Sequence, residues 1–155
     1  MLPLGGIACL PQPGISNGLL PNRELVLWPY TRLHDARLDL QDDLIILNGY
    51  PGDAPCKIGS RNPAGWLCYI RNGKGLTKHS IFEPVAVYPD WGCNAELYAW
   101  DRFIELETLG PLVQLEPDAS VFHKEIWEVI PVDPALKTGD VMQEIQQIIE
   151  SVLGK

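Results

Sequence analysis

The sequence is poor in positive charge. It has 12 lysines and arginines against 20 aspartates and glutamates, which gives a formal net charge of −8. Surfaces that bind nucleic acids or anionic membranes need clustered lysine and arginine, because they must neutralise phosphate groups. We therefore expect neither nucleic acid nor a membrane as a partner.

Long hydrophobic runs are also missing. The apolar stretches are only a few residues long, whereas a membrane-spanning helix needs about 20. The N-terminal stretch MLPLGGIACLPQPG lacks the positive start and the extended apolar core of a secretory signal. We therefore expect a cytoplasmic protein.

Motifs for metals and cofactors are absent as well. The cysteines at positions 9, 56, 68 and 93 include no C-x-x-C pair, and no two histidines have metal-ligand spacing. The sequence has no glycine-rich nucleotide loop and no zinc signature. We expect no bound metal and no cofactor. The cysteines are interpreted as reduced, mostly buried thiols rather than as a disulfide or a nucleophile.

Glycine and proline, by contrast, are abundant, with 14 of each in 155 residues. They separate short apolar runs, which is typical of all-β domains whose neighbouring strands are antiparallel. We therefore predict a mainly β fold, an antiparallel β-sandwich over residues 1–132. Asn72-Gly73 predicts a tight hairpin, and Pro117 to Ser120 predict a turn. The predicted strands cover 6–11, 24–30, 36–40, 43–49, 56–60, 65–72, 75–82, 93–100, 102–109, 112–117 and 121–130.

The C-terminus changes character, and residues 133–155 are predicted to be a helical extension. An apolar stripe with helical spacing predicts a C-terminal α-helix over 140–153. The stripe must cover the β domain or a second copy of the chain, because an exposed face that apolar would associate. Its members are Val141, Met142, Ile145, Ile148, Ile149 and Val152.

The stretch CNAELYAWDRFIELETLGP, residues 93–111, predicts two strands joined by a tight turn. A turn at Trp100-Asp101 places Glu96 opposite Glu105, where two carboxylates repel unless a cation or a proton intervenes. One face of this hairpin is apolar and predicts a core face. The other face carries Asn94, Glu96, Tyr98, Phe103, Glu105 and Glu107.

The sequence leaves the purpose of this acidic face open. A solvated outer face is one explanation, because charged side chains on strands prevent aggregation. A binding groove is another: its carboxylates would accept hydrogen bonds from a hydroxylated ligand, and paired carboxylates can split their pKa values into an acid and a base. A site for a hard metal ion is a third, weaker alternative.

Four segments of the chain stand out: LPNRELVLWPYTRLHDAR (20–37), KIGSRNPAGWLCYI (57–70), YPDWGCNAELYAWDRFIELETLGPLVQLEPDAS (88–120) and HKEIW (123–127). They resemble an uncharacterised bacterial domain family of the galactose mutarotase-like superfamily. The resemblance runs from about Ile7 to Val129 and covers only the C-terminal part of that domain. It implies a large antiparallel β-supersandwich with a concave sugar-binding face, and a carbohydrate as the ligand.

The resemblance also implies roles for single residues. Glu107, in ELETL, occupies the position of the general base of the aldose epimerases, which would make the chain an aldose 1-epimerase-like isomerase. His79 is the nearest candidate for the partner acid, by its chemistry alone. The epimerase glutamine that follows Glu-Thr is replaced here by Leu109, so a carbohydrate-binding domain without catalysis is our first hypothesis.

Further candidates complete the site. Lys57 and Lys78 are placed to neutralise the glutamates, or are solvated charges. Trp66 and Trp91 are the tryptophans that we expect to contact a sugar rather than to lie in the core. Because the matched domain is shortened, its open sheet edges indicate a possible homodimer. A non-catalytic protein-interaction domain that assembles through the C-terminal helix is the remaining alternative.

Overall fold

The computed structural model describes residues 1–14, 18–133, 143 and 147. Within these ranges the chain forms short strands and one helical turn, as the frequent glycines and prolines require. The elements are β1 (Leu2–Pro3), β2 (Ile7–Pro11), β3 (Leu25–Leu27), β4 (Leu38–Leu40), β5 (Leu44–Asn48), β6 (Cys56–Ser60), β7 (Trp66–Arg71), β8 (Lys74–Ser80), α1 (Pro89–Gly92), β9 (Ala95–Trp100), β10 (Phe103–Thr108) and β11 (Glu125–Pro131).

The strands form two sheets. One has five strands in the order β1-β10-β9-β6-β3, and the other has six strands in the order β11-β8-β7-β2-β5-β4. All of these neighbours are antiparallel. The prediction of a mainly β fold built from antiparallel strands is therefore confirmed.

One apolar core joins the two sheets. The five-stranded sheet contributes Leu97 and Ile104, and the six-stranded sheet contributes Ile45 and Leu67, all of them fully buried. Burying a side chain of this size contributes about 1.5–3 kcal/mol. Because successive side chains of a strand point to opposite sides, each sheet has an inner face toward this core and an outer face away from it.

The four cysteines are all buried and none forms a disulfide. Cys9 and Cys68 belong to a smaller apolar cluster on the outer face of the six-stranded sheet, together with Trp66. Burial raises the pKa of Cys9 to about 12, so this thiol stays protonated at neutral pH. The prediction of buried, unpaired thiols is confirmed.

Local turn chemistry explains the hairpin between β7 and β8. Arg71 pairs with Lys74, which leaves Asn72 and Gly73 as a two-residue loop with φ of 51° and 71°. Positive φ at both positions is the geometry that Asn-Gly favours, so the predicted hairpin is confirmed.

Some sequence predictions differ from the structure. Residues 112–117 form no strand, and the short elements β1 and α1 were not predicted. The predicted turn near Pro117 lies one residue earlier, since Ala119 N–H donates to the carbonyl of Glu116 at 3.0 Å. The predicted helix over 140–153 lies outside the described residues, apart from 143 and 147. Among the described residues no helix has the length and apolar character needed to cross a membrane.

Candidate functional site

The acidic side chains of the hairpin lie on the outer face of the five-stranded sheet. Their neighbours Ala95, Leu97 and Leu106 belong to the inner core, so Glu96 and Glu107 point the other way. In the observed register Glu107 is opposite Glu96, and Glu105 is opposite Tyr98. The predicted pairing of Glu96 with Glu105 is therefore wrong, because the hairpin turns at residues 101 and 102, one position later than we predicted.

Lys57 is the cation that separates the opposed carboxylates. Its Nζ lies 2.7 Å from Glu96 Oε2 and 3.0 Å from Glu107 Oε2. The lysine comes from β6, the neighbour of β9, and its main chain is held by Thr31. The Thr31 hydroxyl donates to Lys57 O at 2.7 Å and accepts from Lys57 N–H at 2.8 Å. We call Lys57, Glu96 and Glu107 the carboxylate–lysine cluster.

Burial sets the protonation of this cluster. The Glu96 side chain is only 1% exposed. Burial raises the pKa of Glu96 to about 7; Lys57 opposes this rise, and the charge of Glu107 and the nearby Asp90 add to it. Burial would lower the pKa of Lys57, but hydrogen bonds to Glu96 and Glu107 outweigh that and raise it. At neutral pH the lysine is therefore charged, and Glu96 exchanges a proton.

A missing side chain on β6 makes room for Glu96. Gly59 pairs with Glu96 across the sheet. A Cβ placed on Gly59 would lie 2.6 Å from Cys93 Sγ and 3.3 Å from both Glu96 Cγ and Trp28 Cζ3. The carboxylate stem, the thiol and the indole therefore fill the space above this glycine, and together they bury Glu96.

Aromatic rings surround the cluster. Lys57 Nζ lies 4.7 Å from the centre of the Trp28 ring, a cation–π distance. Tyr30 is near enough that Lys57, Glu107 and Glu96 all influence its pKa, which burial raises overall. On the neighbouring strands the rings of Tyr98 and Phe103 are 5.8 Å apart. The acidic side chains therefore lie among ring faces rather than in open water.

Helix α1 precedes β9, and its backbone has left-handed dihedral angles. Asp90 and Trp91 have φ of 46° and 62°, and Gly92 has φ of 102°. Left-handed conformations are unfavourable for residues with a Cβ. The turn brings the Asp90 carboxylate toward Glu96 and leaves Trp91 92% exposed.

Asn94 was predicted to contact the ligand, and the structure gives its amide a different task. Its Oδ1 accepts from Asn62 N–H at 2.6 Å, and its Nδ2 donates to Asn62 O at 2.9 Å. Both polar atoms of the Asn94 side chain are therefore used within the protein, where they tie β9 to the segment after β6.

Lys78 neutralises a glutamate, but not one of the hairpin. It pairs with Leu67 of the core and so lies on the inner face of the six-stranded sheet. Its Nζ donates to Leu106 O at 2.8 Å and forms an ion pair with Glu125 Oε1 at 2.9 Å. Glu125 also accepts from the Trp127 indole at 2.7 Å. This cluster is internally satisfied and is separated from the acidic face by the five-stranded sheet.

His79 and Trp66 lie on the far side of the molecule. They are opposite each other on β8 and β7, and Trp66 belongs to the cluster on the outer face of the six-stranded sheet. Glu107 lies on the outer face of the five-stranded sheet, with the core between them. The structure therefore does not bring His79 to Glu107, and one substrate molecule cannot contact both.

Sequence reasoning overlooked Trp28, Tyr30 and Asp90 as members of this surface. They come from the two loops that flank β3 and β9, so no regular spacing links them to the glutamates. The juxtaposition of Pro, Trp and Tyr in LVLWPY (25–30) was the available signal.

Within the described ranges no group of three or more histidine, cysteine or carboxylate side chains is placed to hold a metal ion. Comparisons of the chain with family models, with curated proteins and with solved structures find no match. The chemistry of the site is therefore interpreted from the carboxylate–lysine cluster and its aromatic surroundings.

Proposed function

We propose that the outer face of the five-stranded sheet binds a carbohydrate, and that the two sheets form the C-terminal part of a galactose mutarotase-like β-sandwich. The observation that carries the proposal is the opposition of Glu96 and Glu107 across one shared ammonium group. One positive charge balances one carboxylate, so the cluster retains either a negative charge or a proton. Carboxylates in this state are strong acceptors for the hydroxyl groups of a sugar.

Glu107 is the carboxylate that a ligand would contact. Its Oε2 accepts from Lys57, and its Oε1 is buried and accepts no hydrogen bond from any described residue. The Glu107 side chain is 31% exposed and that of Glu96 is 1% exposed. Glu107 is therefore the carboxylate with surface open to a ligand, while Glu96 is a positioning residue that holds Lys57.

Exposed rings on the elements around the cluster support the same ligand class. Trp91 is 92% exposed, Trp100 46% and Tyr30 40%. An aromatic ring offers an apolar face that can stack on the C–H face of a pyranose, while the polar edge of the aromatic side chain remains in contact with water. Acidic acceptors beside exposed rings match a ligand that has both hydroxyl groups and an apolar ring face.

An aldose 1-epimerase is the second candidate, and the raised pKa of Glu96 favours it. A base on Glu107 would take the proton of the anomeric hydroxyl, and a neighbouring group that titrates near neutrality can exchange protons with that base. His79 is too remote to be the partner acid, so this route relies on the cluster itself.

The binding proposal is tested by titrating the protein with a panel of aldoses, with ligand-observed NMR as the readout. We expect Glu107→Gln to weaken binding at least tenfold, because a charge-assisted hydrogen bond is worth about 1.5–3 kcal/mol. Glu116→Gln is the matched control, since Glu116 is exposed and lies outside the cluster. Trp91→Ala should also weaken binding, and Phe122→Ala, which removes another ring that is 92% exposed, should not.

The two candidates are separated by polarimetry on freshly dissolved α-glucose and α-galactose. An isomerase accelerates the decay of optical rotation, and this acceleration disappears in Glu107→Gln. Binding without acceleration supports the first candidate alone. If Glu107→Gln keeps the wild-type affinity for every aldose that binds, the proposed site is refuted.

A further inference from the structure

A cleft on the opposite side of the molecule has the make-up of a second ligand site. It lies beside the outer face of the six-stranded sheet, between the turn after β6, the end of β8 and the start of β11, and its volume is about 450 Å³. Small-molecule sites commonly measure about 300–1,000 Å³. We call it the His79 cleft, and its lining is Pro63, Ala64, Gly65, His79, Ser80, Ile81, Phe82, Lys124 and Ile126.

The walls of the His79 cleft are apolar and partly uncovered. Ile81 is 78% exposed and Ile126 is 43% exposed, so these side chains gain from a ligand that removes them from water. The Phe82 ring is held in place by two contacts. It stacks on the Tyr88 ring, with the ring centres 5.7 Å apart, and lies 5.2 Å from the Arg61 guanidinium. The cleft therefore offers an apolar wall whose aromatic part is already ordered.

The main chain holds the cleft open in its present shape. Ser80 N–H donates to Gly65 O at 2.8 Å, which joins the end of β8 to the turn after β6. Gly65 has φ of 72°, and a Cβ there would lie 2.5 Å from Ser80 O, so only glycine permits this contact. The site is pre-formed and needs no folding step to bind a ligand.

The polar groups of the cleft are few. Lys124 is its charged lining residue, is exposed, and forms no ion pair or hydrogen bond with any described residue. His79 is 7% exposed, and its Nε2 has no hydrogen-bond partner among the described residues. Glu128 Oε2 is the acidic atom near it, at 3.8 Å, which is beyond hydrogen-bond reach. In a chain of net charge −8, the one charged residue among the described residues of this lining is positive, which favours an anionic group.

From the apolar walls, the free ammonium group and the unpartnered imidazole, we propose that the His79 cleft binds a small, mainly apolar carboxylate. The hydrocarbon or aromatic body lies against Ile81, Phe82 and Ile126, and the carboxylate is bound by Lys124. Burial lowers the pKa of His79, with Glu128 opposing the effect, so the imidazole is neutral at physiological pH and adds no charge to the cleft. This site is distinct from the carboxylate–lysine cluster, because the core separates the two outer faces.

The test uses the full chain and two pairs of probes: benzoate with benzyl alcohol, and hexanoate with hexan-1-ol. Titrations are followed through the NMR resonances of the Ile81 and Ile126 methyl groups and the His79 ring. We expect both carboxylates to shift these signals and to bind about fivefold more tightly than the alcohols, the upper range for an exposed charge pair. Lys124→Gln should abolish that preference. Lys74→Gln is the matched control, since it removes an exposed lysine on β8 away from the cleft.

A second variant checks the location. Ala64→Trp fills the cleft from an exposed turn position and should eliminate the shifts without unfolding the protein. Three results would overturn the proposal: no shifts at 10 mM of either carboxylate, equal affinity for acid and alcohol, or shifts that persist unchanged in Ala64→Trp.

Discussion

Replacing Glu96 by glutamine should stabilise the protein progressively, relative to the wild type, as the pH rises from 5 to 8. The Glu96 carboxyl is fully buried, and its pKa rises from the usual 4.5 to about 7 in the folded protein. The folded state therefore holds a proton that the unfolded chain releases. The resulting penalty is absent below pH 4.5, grows between pH 4.5 and 7, and is complete above pH 7.

The magnitude follows from the two pKa values. One pKa unit corresponds to about 1.4 kcal/mol, so linkage between a pKa of 4.5 and one of about 7 gives a penalty of about 1 kcal/mol at pH 5 and about 3 kcal/mol at pH 8. Glutamine has nearly the same shape and no proton to exchange. The free energy of unfolding of Glu96→Gln, minus that of the wild type, should therefore rise by about 2 kcal/mol between pH 5 and pH 8.

Urea unfolding at pH 5, 6, 7 and 8 measures this difference. Other titrating groups, such as Asp35 and Glu125 with their lowered pKa values, affect wild type and variant alike and cancel. Glu116→Gln serves as the control and should follow the wild-type profile at every pH. If the profiles of Glu96→Gln and the wild type run parallel, Glu96 does not titrate in this range and our account of the carboxylate–lysine cluster is incorrect.

Further substitutions test the scaffold around the site. Asn94→Ala should lower the free energy of unfolding by about 2–3 kcal/mol, because it leaves the buried polar groups of Asn62 unpaired. Thermal unfolding measures this loss, and the sugar affinity of the molecules that remain folded should not change. A direct effect on affinity would show that Asn94 contacts the ligand after all. Gly59→Ala should destabilise the fold by about 1–3 kcal/mol, because the added methyl group clashes with Cys93. The melting temperature should fall, and an unchanged melting temperature would contradict the packing described above β6.

Local signals in the sequence were sufficient for much of the fold. The strand predicted at 56–60 has the observed bounds of β6, and the Asn72-Gly73 loop forms the hairpin that it predicts. Both rest on neighbours in the chain: a short apolar run between turn residues, and an Asn-Gly pair that favours positive φ. Where no such residue marked the turn, as at Asp101-Arg102, the predicted register was displaced by two positions.

The displaced register had a limited consequence for the site. A shift of two residues keeps every side chain on its face, because the side-chain period of a strand is two. The outer face of the hairpin was therefore predicted correctly, while the partner of Glu96 was not. The pairing of β6 with β9, which delivers Lys57, joins distant parts of the chain, and no local pattern encodes it.

The side-chain period of two also shows why the prediction that His79 is the partner acid of Glu107 was wrong. Lys78 and His79 are consecutive on β8, so they must lie on opposite faces of the sheet. The two tryptophans proposed for the sugar also separate, since Trp66 is 5% exposed and Trp91 is 92% exposed. Glycines and prolines flank both tryptophans and indicate that each lies near a loop. They do not show which of the two tryptophans is buried against a sheet.

The left-handed turn at α1 implies a conflict between the stability of the fold and the proposed binding of a ligand. Asp90 and Trp91 each hold a conformation that disfavours a Cβ by roughly 1–2 kcal/mol, and glycine at position 91 would relieve the strain. Selection for heat resistance alone would then remove the indole that we assign to the sugar. If Trp91 binds the sugar as we propose, a homologue with glycine at this position is expected to gain stability and to lose affinity for its ligand.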